Sequence, residues 1–182
     1  MSGTRTRTWK CAPAVALALV CAIVLMLLGA TICRLFVWPS LPTPPARVDA
    51  IIELGGEGWR DDVALALARQ GRAPILVQST TEGDTQCLPP VPGVEIRCFH
   101  AEPNTTQGEA RYIGRAAAEG HWHSVILVTS RDHAWRARLW VKRCFPGEVY
   151  VVTSHLPPLL WFRQIPYQSV ATIKALTVNR SC

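Results

Sequence analysis

Along residues 48–178, short apolar runs alternate with segments of helical spacing, and this alternation constrains the fold more than any other feature of the sequence. The apolar runs predict strands at 48–54, 74–79, 94–99, 124–129 and 149–153. The helical patterns lie at 61–70, 107–119, 132–143 and 168–178. Strands that alternate with helices are typical of βαβ units. The sequence therefore predicts an α/β fold, a Rossmann-like parallel sheet with helices on both faces.

A separate N-terminal segment, residues 11–33, carries no charged side chain over 23 positions. As a helix it would be about 34 Å long, enough to cross a hydrocarbon core of roughly 30 Å. It also exceeds the roughly 7–15 apolar residues of a secretory signal. We therefore predict a basic flank at 1–10, one transmembrane anchor at 11–37, a stiff Pro-rich linker at 38–47 and the α/β domain at 48–182.

Charge on either side of the anchor predicts its orientation. Arg5, Arg7 and Lys10 precede it, whereas only Arg34 and Arg47 follow closely. The excess of basic residues on the cytoplasmic side predicts a cytoplasmic N-terminus and an extracytoplasmic domain, held at the cell membrane by a single span. The formal net charge is +6, and the three N-terminal charges leave +3, which is too little to favour nucleic acid as a partner.

Four of the seven cysteines lie in the predicted domain, where an extracytoplasmic compartment would oxidise them. Four cysteines allow three pairings. We favour Cys87 with Cys98, because they are close in sequence and flank a Pro-rich loop, which leaves Cys144 with Cys182. A metal site is the alternative, but no C-x-x-C or H-x-x-x-H spacing supports one, and we predict none.

Polar clusters follow four of the predicted strands. They comprise Gly55, Gly56 and Arg60 after the first strand, Ser79 after the second, Thr105, Thr106 and Glu109 after the third, and Ser130, His133 and Arg136 after the fourth. The carboxyl ends of parallel strands share one edge of a sheet, so these residues are expected to converge on one ligand. We predict that Glu109 and His133 are catalytic and that the others bind the ligand.

The residue types favour an anionic ligand. Gly55 and Gly56 permit close backbone approach, and the helices that begin nearby present N–H groups to an anion. His133 can act as an acid or a base. Arg136 can bind a phosphate or carboxylate through two hydrogen bonds, or simply pair with Asp132 one turn earlier. The sequence identifies no cofactor.

Purely structural roles are open for several of these residues. Thr106 and Glu109 have the spacing of a capping box. In that motif each of the two side chains accepts a hydrogen bond from the backbone N–H of the other residue at the start of a helix. Ser130 is a natural N-cap. Glu53 interrupts the first apolar run, so it is either paired or on an exposed face, since a buried unpaired carboxylate is costly. The sequence His-Trp-His at 121–123 precedes the fourth strand, at the opposite edge of the sheet, and is predicted to be a surface loop.

Several of these motifs together resemble the YdcF-like family, which includes the SanA- and ElyC-type envelope proteins. The matching stretches are DAIIELGG at 49–56, Arg60, APILVQS at 73–79, TTQGEAR at 105–111 and LVTSRDHAWRA at 127–137. The resemblance implies a Rossmann-like, often membrane-tethered domain of cell-envelope biogenesis. Two positions depart from the family pattern: Thr80-Thr81 stand where Gly-Gly is frequent, and Gln168 stands where many members have Glu.

Two hypotheses for function follow. The first is a membrane-anchored, extracytoplasmic YdcF-like protein of cell-envelope biogenesis that acts on or binds a phosphorylated or anionic intermediate, including a lipid-linked ligand. The alternative is a non-catalytic binding domain for a nucleotide-like small anionic ligand. The predominance of Arg over Lys, sixteen to three, also suggests a bacterial source of high GC content.

Overall fold

The computed structural model describes residues 12–56, 59–80, 87–178 and 180–182. Its helices are α1 (Ala12–Ile32), α2 (Arg60–Arg69), α3 (Thr106–Glu119), α4 (Ala134–Cys144) and α5 (Trp161–Thr177). Its strands are β1 (Ala50–Glu53), β2 (Ile75–Thr80), β3 (Glu95–His100), β4 (Ser124–Ser130) and β5 (Glu148–Ser154). Short turns of other helix types lie at Cys33–Val37, Arg131–His133 and Pro158–Leu160.

The five strands form one parallel sheet in the order β3-β2-β1-β4-β5. In β1, Ile51 lies beside Leu76 on one side and Ile126 on the other. The chain winds outward from β1 to β3 and then returns to β4, so the direction of winding reverses between β1 and β4. In open α/β sheets, ligands bind beyond the carboxyl ends of the strands at such a reversal.

Helices cover both faces of the sheet, which confirms the predicted fold class. Successive residues of β1 point to opposite faces, so Ile52 packs with α3 and α4 while Ile51 packs with α2. Both side chains are fully buried. Burial of a side chain of this size contributes about 1.5–3 kcal/mol, so the two packed faces are the main source of the domain's stability.

The last helix begins earlier than its sequence pattern predicts. The prediction started it at Gln168, whereas α5 begins at Trp161 and runs through Pro166. Proline lacks the N–H that would bond to the carbonyl four residues before it, which is why the pattern favoured a later start. The longer helix matters because its extra turns form one wall of the site described below.

The N-terminal helix does not pack against the domain, whereas the segment after it does. The apolar stretch Pro13–Val37 is long enough to span a membrane and its helix is not buried against the domain. The turn Cys33–Val37 does pack on the domain, against Arg131–His133 and α4, and Phe36 is buried there. Leu41, within the predicted linker, also packs on the core of the domain.

Both predicted disulfides are present, which confirms the favoured pairing. The Cα atoms of Cys87 and Cys98 are 5.7 Å apart, and those of Cys144 and Cys182 are 4.9 Å apart. The second bond ties the C-terminal tail to the end of α4. The amide of Gln107 donates a hydrogen bond to the Ser181 carbonyl, which fixes the tail against α3 as well.

Glu53 is buried, with 3% of its surface exposed, and so does not lie on an exposed face. One carboxyl oxygen interacts with Gln78, and Oε2 has no hydrogen-bond partner among the described residues. Burial, with the nearby Asp61 and Glu109 carboxyls, raises the pKa of Glu53 to about 8. The side chain is therefore protonated at neutral pH, which removes most of the cost of burying it.

Candidate functional site

A cavity of about 290 Å³ lies at the carboxyl edge of the sheet, where the winding reverses. All ten residues predicted to form the site line it. They are Gly55, Gly56, Arg60, Ser79, Thr105, Thr106, Glu109, Ser130, His133 and Arg136. The other lining side chains are those of Asn104, Asp132, Arg163, Gln164, Tyr167 and Gln168. The catalytic and ligand-binding roles assigned from the sequence remain predictions.

The two glycines after β1 are required by close packing. A Cβ atom on Gly55 would lie 3.3 Å from the Ser79 carbonyl oxygen. Gly56 has φ of +122°, a conformation that favours glycine, and a Cβ there would lie 3.1 Å from the Arg60 guanidinium. The glycines thus let the β1 loop fold closely around Arg60 and against β2.

Arg60 connects the ends of β1 and β4, the two strands between which the direction of winding reverses. Its Nη1 donates to the Leu54 carbonyl at 2.7 Å and to the Gly55 carbonyl, and its Nη2 donates to Ser130 Oγ at 3.0 Å. Ser130 occupies the N-cap position of the turn Arg131–His133, as predicted, but its side chain makes no capping hydrogen bond. Its hydroxyl accepts from the Arg60 guanidinium, which also donates to the end of β1.

Glu109 spans from α3 to the loop after β1. Its Oε1 accepts a hydrogen bond of 2.8 Å from the Gly55 N–H. Burial raises the pKa of Glu109, while the Gly55 N–H, the Ser79 hydroxyl, Arg60 and Arg136 oppose that rise. The carboxyl is therefore held in place by several donors while burial favours its protonated form.

The predicted capping box of Thr106 and Glu109 is wrong, because the helix begins one residue earlier. Thr105 is the N-cap, and its Oγ1 accepts from the Gly108 N–H at 3.2 Å. A Cβ on Gly108 would lie 2.0 Å from the Pro103 carbonyl oxygen, so only glycine fits there. Thr106 and Glu109 are thereby free to face the cavity.

Arg136 and His133 form the opposite wall. The guanidinium of Arg136 donates through Nε to Gln168 Oε1 at 2.8 Å, through Nη1 to Thr106 Oγ1 at 3.0 Å and through Nη2 to His133 Nδ1 at 2.8 Å. Burial, and then the charges of Arg136 and Arg60, hold the pKa of His133 well below its ordinary value. His133 is therefore neutral at pH 7.

Gln168 lies between Arg136 and Asp132, whose direct pairing was one of two alternatives that the sequence left open. Its amide nitrogen donates to Asp132 Oδ2 at 3.0 Å while its oxygen accepts from Arg136. The pairing of Arg136 with Asp132 is thus replaced by an amide bridge. The second carboxylate oxygen, Asp132 Oδ1, is buried and has no partner among the described residues.

Sequence reasoning did not place the α5 wall in the site. Tyr167 lies below the Arg136 guanidinium, with 5.9 Å between its ring centroid and Cζ, and Arg163 and Gln164 line the cavity nearby. No strand end precedes these residues closely, so the rule that located the other ten did not apply. The resemblance singled out position 168, and that was the available signal.

The charged side chains that line the cavity include more basic than acidic residues. Arg60, Arg136 and Arg163 line it against Asp132 and Glu109, and the pKa of Glu109 is raised. Within the described ranges, no three His, Cys, Asp or Glu side chains are grouped closely enough to hold a metal ion. The geometry therefore offers cationic and neutral donors to an anion.

The fold and the site together define an α/β domain that carries an apolar N-terminal helix and a polar crevice at the reversal point of its sheet. In comparison with known proteins, no family model, no curated protein and no solved structure matches this chain.

Proposed function

We propose that the crevice binds a phosphorylated or otherwise anionic intermediate of the cell envelope and that the domain works outside the cytoplasmic membrane. The observation that carries this proposal is the state of Arg136. The residue is 7% exposed. Its guanidinium borders the cavity and, among the described residues, donates to the neutral groups of Gln168, Thr106 and His133.

A buried cation without an anionic partner is costly. Among the described residues, no carboxylate forms a direct ion pair within 4.0 Å of the Arg136 guanidinium, and Glu109 and Asp132 act on its charge only from farther away. A ligand anion would supply a direct ionic partner, and a guanidinium binds phosphate or carboxylate through charge-assisted hydrogen bonds. The neutral partners hold the group in one orientation beside the cavity, so little order is lost on binding.

Catalysis, if the ligand is turned over, depends on Glu109. A general acid or base works best when its pKa is near the working pH, and burial moves the pKa of Glu109 in that direction. His133 offers an N–H and Arg136 a charge, so these two would stabilise negative charge while Glu109 exchanges a proton with the ligand.

Three features support the location. The helix at Pro13–Val37 has the length and composition of a membrane span. Disulfides such as Cys87–Cys98 and Cys144–Cys182 persist in oxidising compartments. The resemblance to YdcF-like proteins supports the link to envelope biogenesis, and we include that link in the proposal.

The test is a calorimetric titration of the full chain in lipid vesicles with inorganic phosphate and pyrophosphate. Arg136→Gln should weaken binding about tenfold or more, since a hydrogen bond to a charged group contributes about 1.5–3 kcal/mol. Arg138→Gln is the matched control, because it removes the same charge from the same helix, where Arg138 donates to the Val149 carbonyl. Equal affinities in the two variants, or no binding by the unaltered protein, would contradict the proposal.

Turnover is tested separately from binding. Glu109→Gln keeps the shape of the side chain, so it should retain phosphate affinity while abolishing release of phosphate from phosphomonoester and pyrophosphate probes. Loss of affinity in proportion to loss of release would indicate that Glu109 only supports the fold of the site.

A second candidate is a nucleotide-like ligand that is bound without turnover. Trp59, directly before Arg60, stacks on His155 with their ring centroids 5.5 Å apart and 21° between planes. Trp59 is largely exposed, so its ring can stack on a base. Trp59→Ala should then weaken binding of a nucleoside phosphate but not that of pyrophosphate, whereas equal effects would exclude this candidate.

A further inference from the structure

Helix α5 exposes an apolar stripe along one side. Phe162 is 84% exposed, Val170 69% and Ile173 61%, and these residues follow one another at helical spacing. The side that packs on the domain includes Gln168 and Thr172, both buried. A surface helix normally turns its apolar side inward. Contiguous exposed apolar surface of this kind marks an interaction site.

The charged side chains of this helix and of the segments that flank it in sequence are of one sign. Residues 149–182 include no Asp or Glu, whereas Arg163, Lys174 and Arg180 are basic. Helices that lie in a membrane interface combine an apolar side with basic residues that meet anionic lipid headgroups. Both properties are present in α5.

The predicted anchor ends on the same short segment of the domain that α5 packs against. The turn Cys33–Val37, which closes the apolar span, packs against Arg131–His133, and α5 packs against the same three residues. Trp38, the next residue, is exposed, as aromatic anchors at membrane interfaces are. A membrane that holds the span is therefore adjacent to α5.

We propose that the apolar face of α5, formed by Phe162, Pro166, Val170 and Ile173, docks on the outer surface of the bilayer that holds α1. A second copy of the chain fits less well, because pairing this face with itself would bring like basic charges together. The occupant that meets both the apolar side chains and the charges is a lipid surface with anionic headgroups.

This inference does not depend on the ligand, yet it has a consequence for the crevice. Arg163, Gln164 and Tyr167 of the same helix line the cavity. When α5 lies in the interface, the mouth of the crevice opens at the level of the lipid headgroups. The site is then positioned to take a lipid-borne phosphate directly from the membrane.

The experiment uses the full chain in vesicles of phosphatidylethanolamine and phosphatidylglycerol, with photoreactive benzoylphenylalanine in place of single residues. Replacement of Phe162 should yield lipid adducts at a level near that of replacement of Leu25 within the span. Replacement of Glu119, exposed at the far edge of the sheet, is the control and should yield several-fold fewer. Adding Ile173→Glu to the Phe162 probe should reduce its lipid adducts several-fold without changing the melting temperature.

Two results would overturn the docking proposal. If the probe at position 162 gives no more lipid adducts than the probe at position 119, α5 does not contact the bilayer. Protein–protein adducts from position 162 in place of lipid adducts would assign the face to a second copy. Phosphate binding that persists in either case would leave the proposed function standing, so the two failures are distinguishable.

Discussion

Arg136 Nη2 donates a 2.8 Å hydrogen bond to Nδ1 of His133. A guanidinium can only donate, and this contact is shorter than the 3.4 Å between Nδ1 and Gln168 Oε1, which can only accept. The shorter contact favours an unprotonated Nδ1 with the ring proton on Nε2. Nε2 is 3.5 Å from Thr106 Oγ1, at the cavity wall. In this tautomer His133 is a neutral hydrogen-bond donor at the cavity wall, a narrower role than the acid or base that its residue type predicts.

We expect His133 to remain neutral from about pH 6 to pH 8, where an ordinary histidine with a pKa of about 6.5 titrates. Its folded pKa is lowered, so the unfolded chain binds the proton more readily. Its stabilising contribution is complete above about pH 6.5 and is lost as the pH falls below that value. Nitrogen-15 NMR of the imidazole at pH 7 should show protonated Nε2 and unprotonated Nδ1. A titration midpoint near 6.5 would contradict this assignment.

Glu53→Gln should make stability less dependent on pH. The pKa of Glu53 rises from 4.5 to about 8 in the folded state, so the folded protein binds this proton more tightly than the unfolded chain. Stability should therefore fall as the pH rises from about 4.5 to about 8, and the amide variant should lack that fall. Thermal melting across this range measures it, with Glu119→Gln, on an exposed side chain, as the control. Parallel profiles for the two variants would count against the buried protonated state.

Substitution of two adjacent threonines should affect two different properties, stability in one case and phosphate binding in the other. Thr105→Val removes the N-cap hydrogen bond to Gly108 and should lower the free energy of unfolding by about 1 kcal/mol. Thr106→Val removes the hydroxyl that accepts from Arg136 and should mainly weaken phosphate binding. The substitutions have the same size, so denaturant unfolding and calorimetry on both proteins form a matched comparison. The reverse pattern of effects would refute this division of roles.

Loss of the C-terminal disulfide should destabilise the domain. Cys144 and Cys182 are 38 residues apart, for which the chain-entropy model gives about 4 kcal/mol. The double variant Cys144→Ser and Cys182→Ser should show this as a lower midpoint of denaturant unfolding. Peptide mapping without reductant should recover both native disulfides from the unaltered protein. Recovery of a Cys98–Cys182 peptide would instead show a different connectivity.

The predicted orientation of the span places the domain outside the cytoplasmic membrane, and fusions to the C-terminus test this. Alkaline phosphatase fused after Cys182 should be active, because the enzyme requires an extracytoplasmic location to form its own disulfides. Green fluorescent protein fused at the same position should be exported and should not fluoresce. An inactive phosphatase together with a fluorescent partner would place the domain in the cytoplasm.

Much of the fold follows from short-range sequence signals. The apolar runs around Ile51 and Ile126 predict strands, and the structure buries both in the centre of a sheet that is covered on both faces. Parallel pairing then brings the strand ends to one edge, which is why residues as distant as Gly55 and Arg136 were predicted to share a site. The positions of both in the cavity follow from topology alone.

What the sequence did not predict depends on long-range packing. Nothing local indicates that α5 continues through Pro166, since only its contacts with the domain outweigh the missing hydrogen bond. The position of Gln168 between Asp132 and Arg136 depends on that helix. The exact cap of α3 likewise depends on the fit of Gly108 against Pro103, which a pattern of Thr and Glu residues does not reveal.

The bridging amide of Gln168 also sets an order of assembly. Synthesis proceeds from the N-terminus, so the strands of the sheet and the side chains of Arg60, Glu109 and His133 emerge before α5. Until α5 docks, the amide that bridges Asp132 and Arg136 is absent from the crevice. The crevice is therefore completed only when the C-terminal helix has packed on the domain.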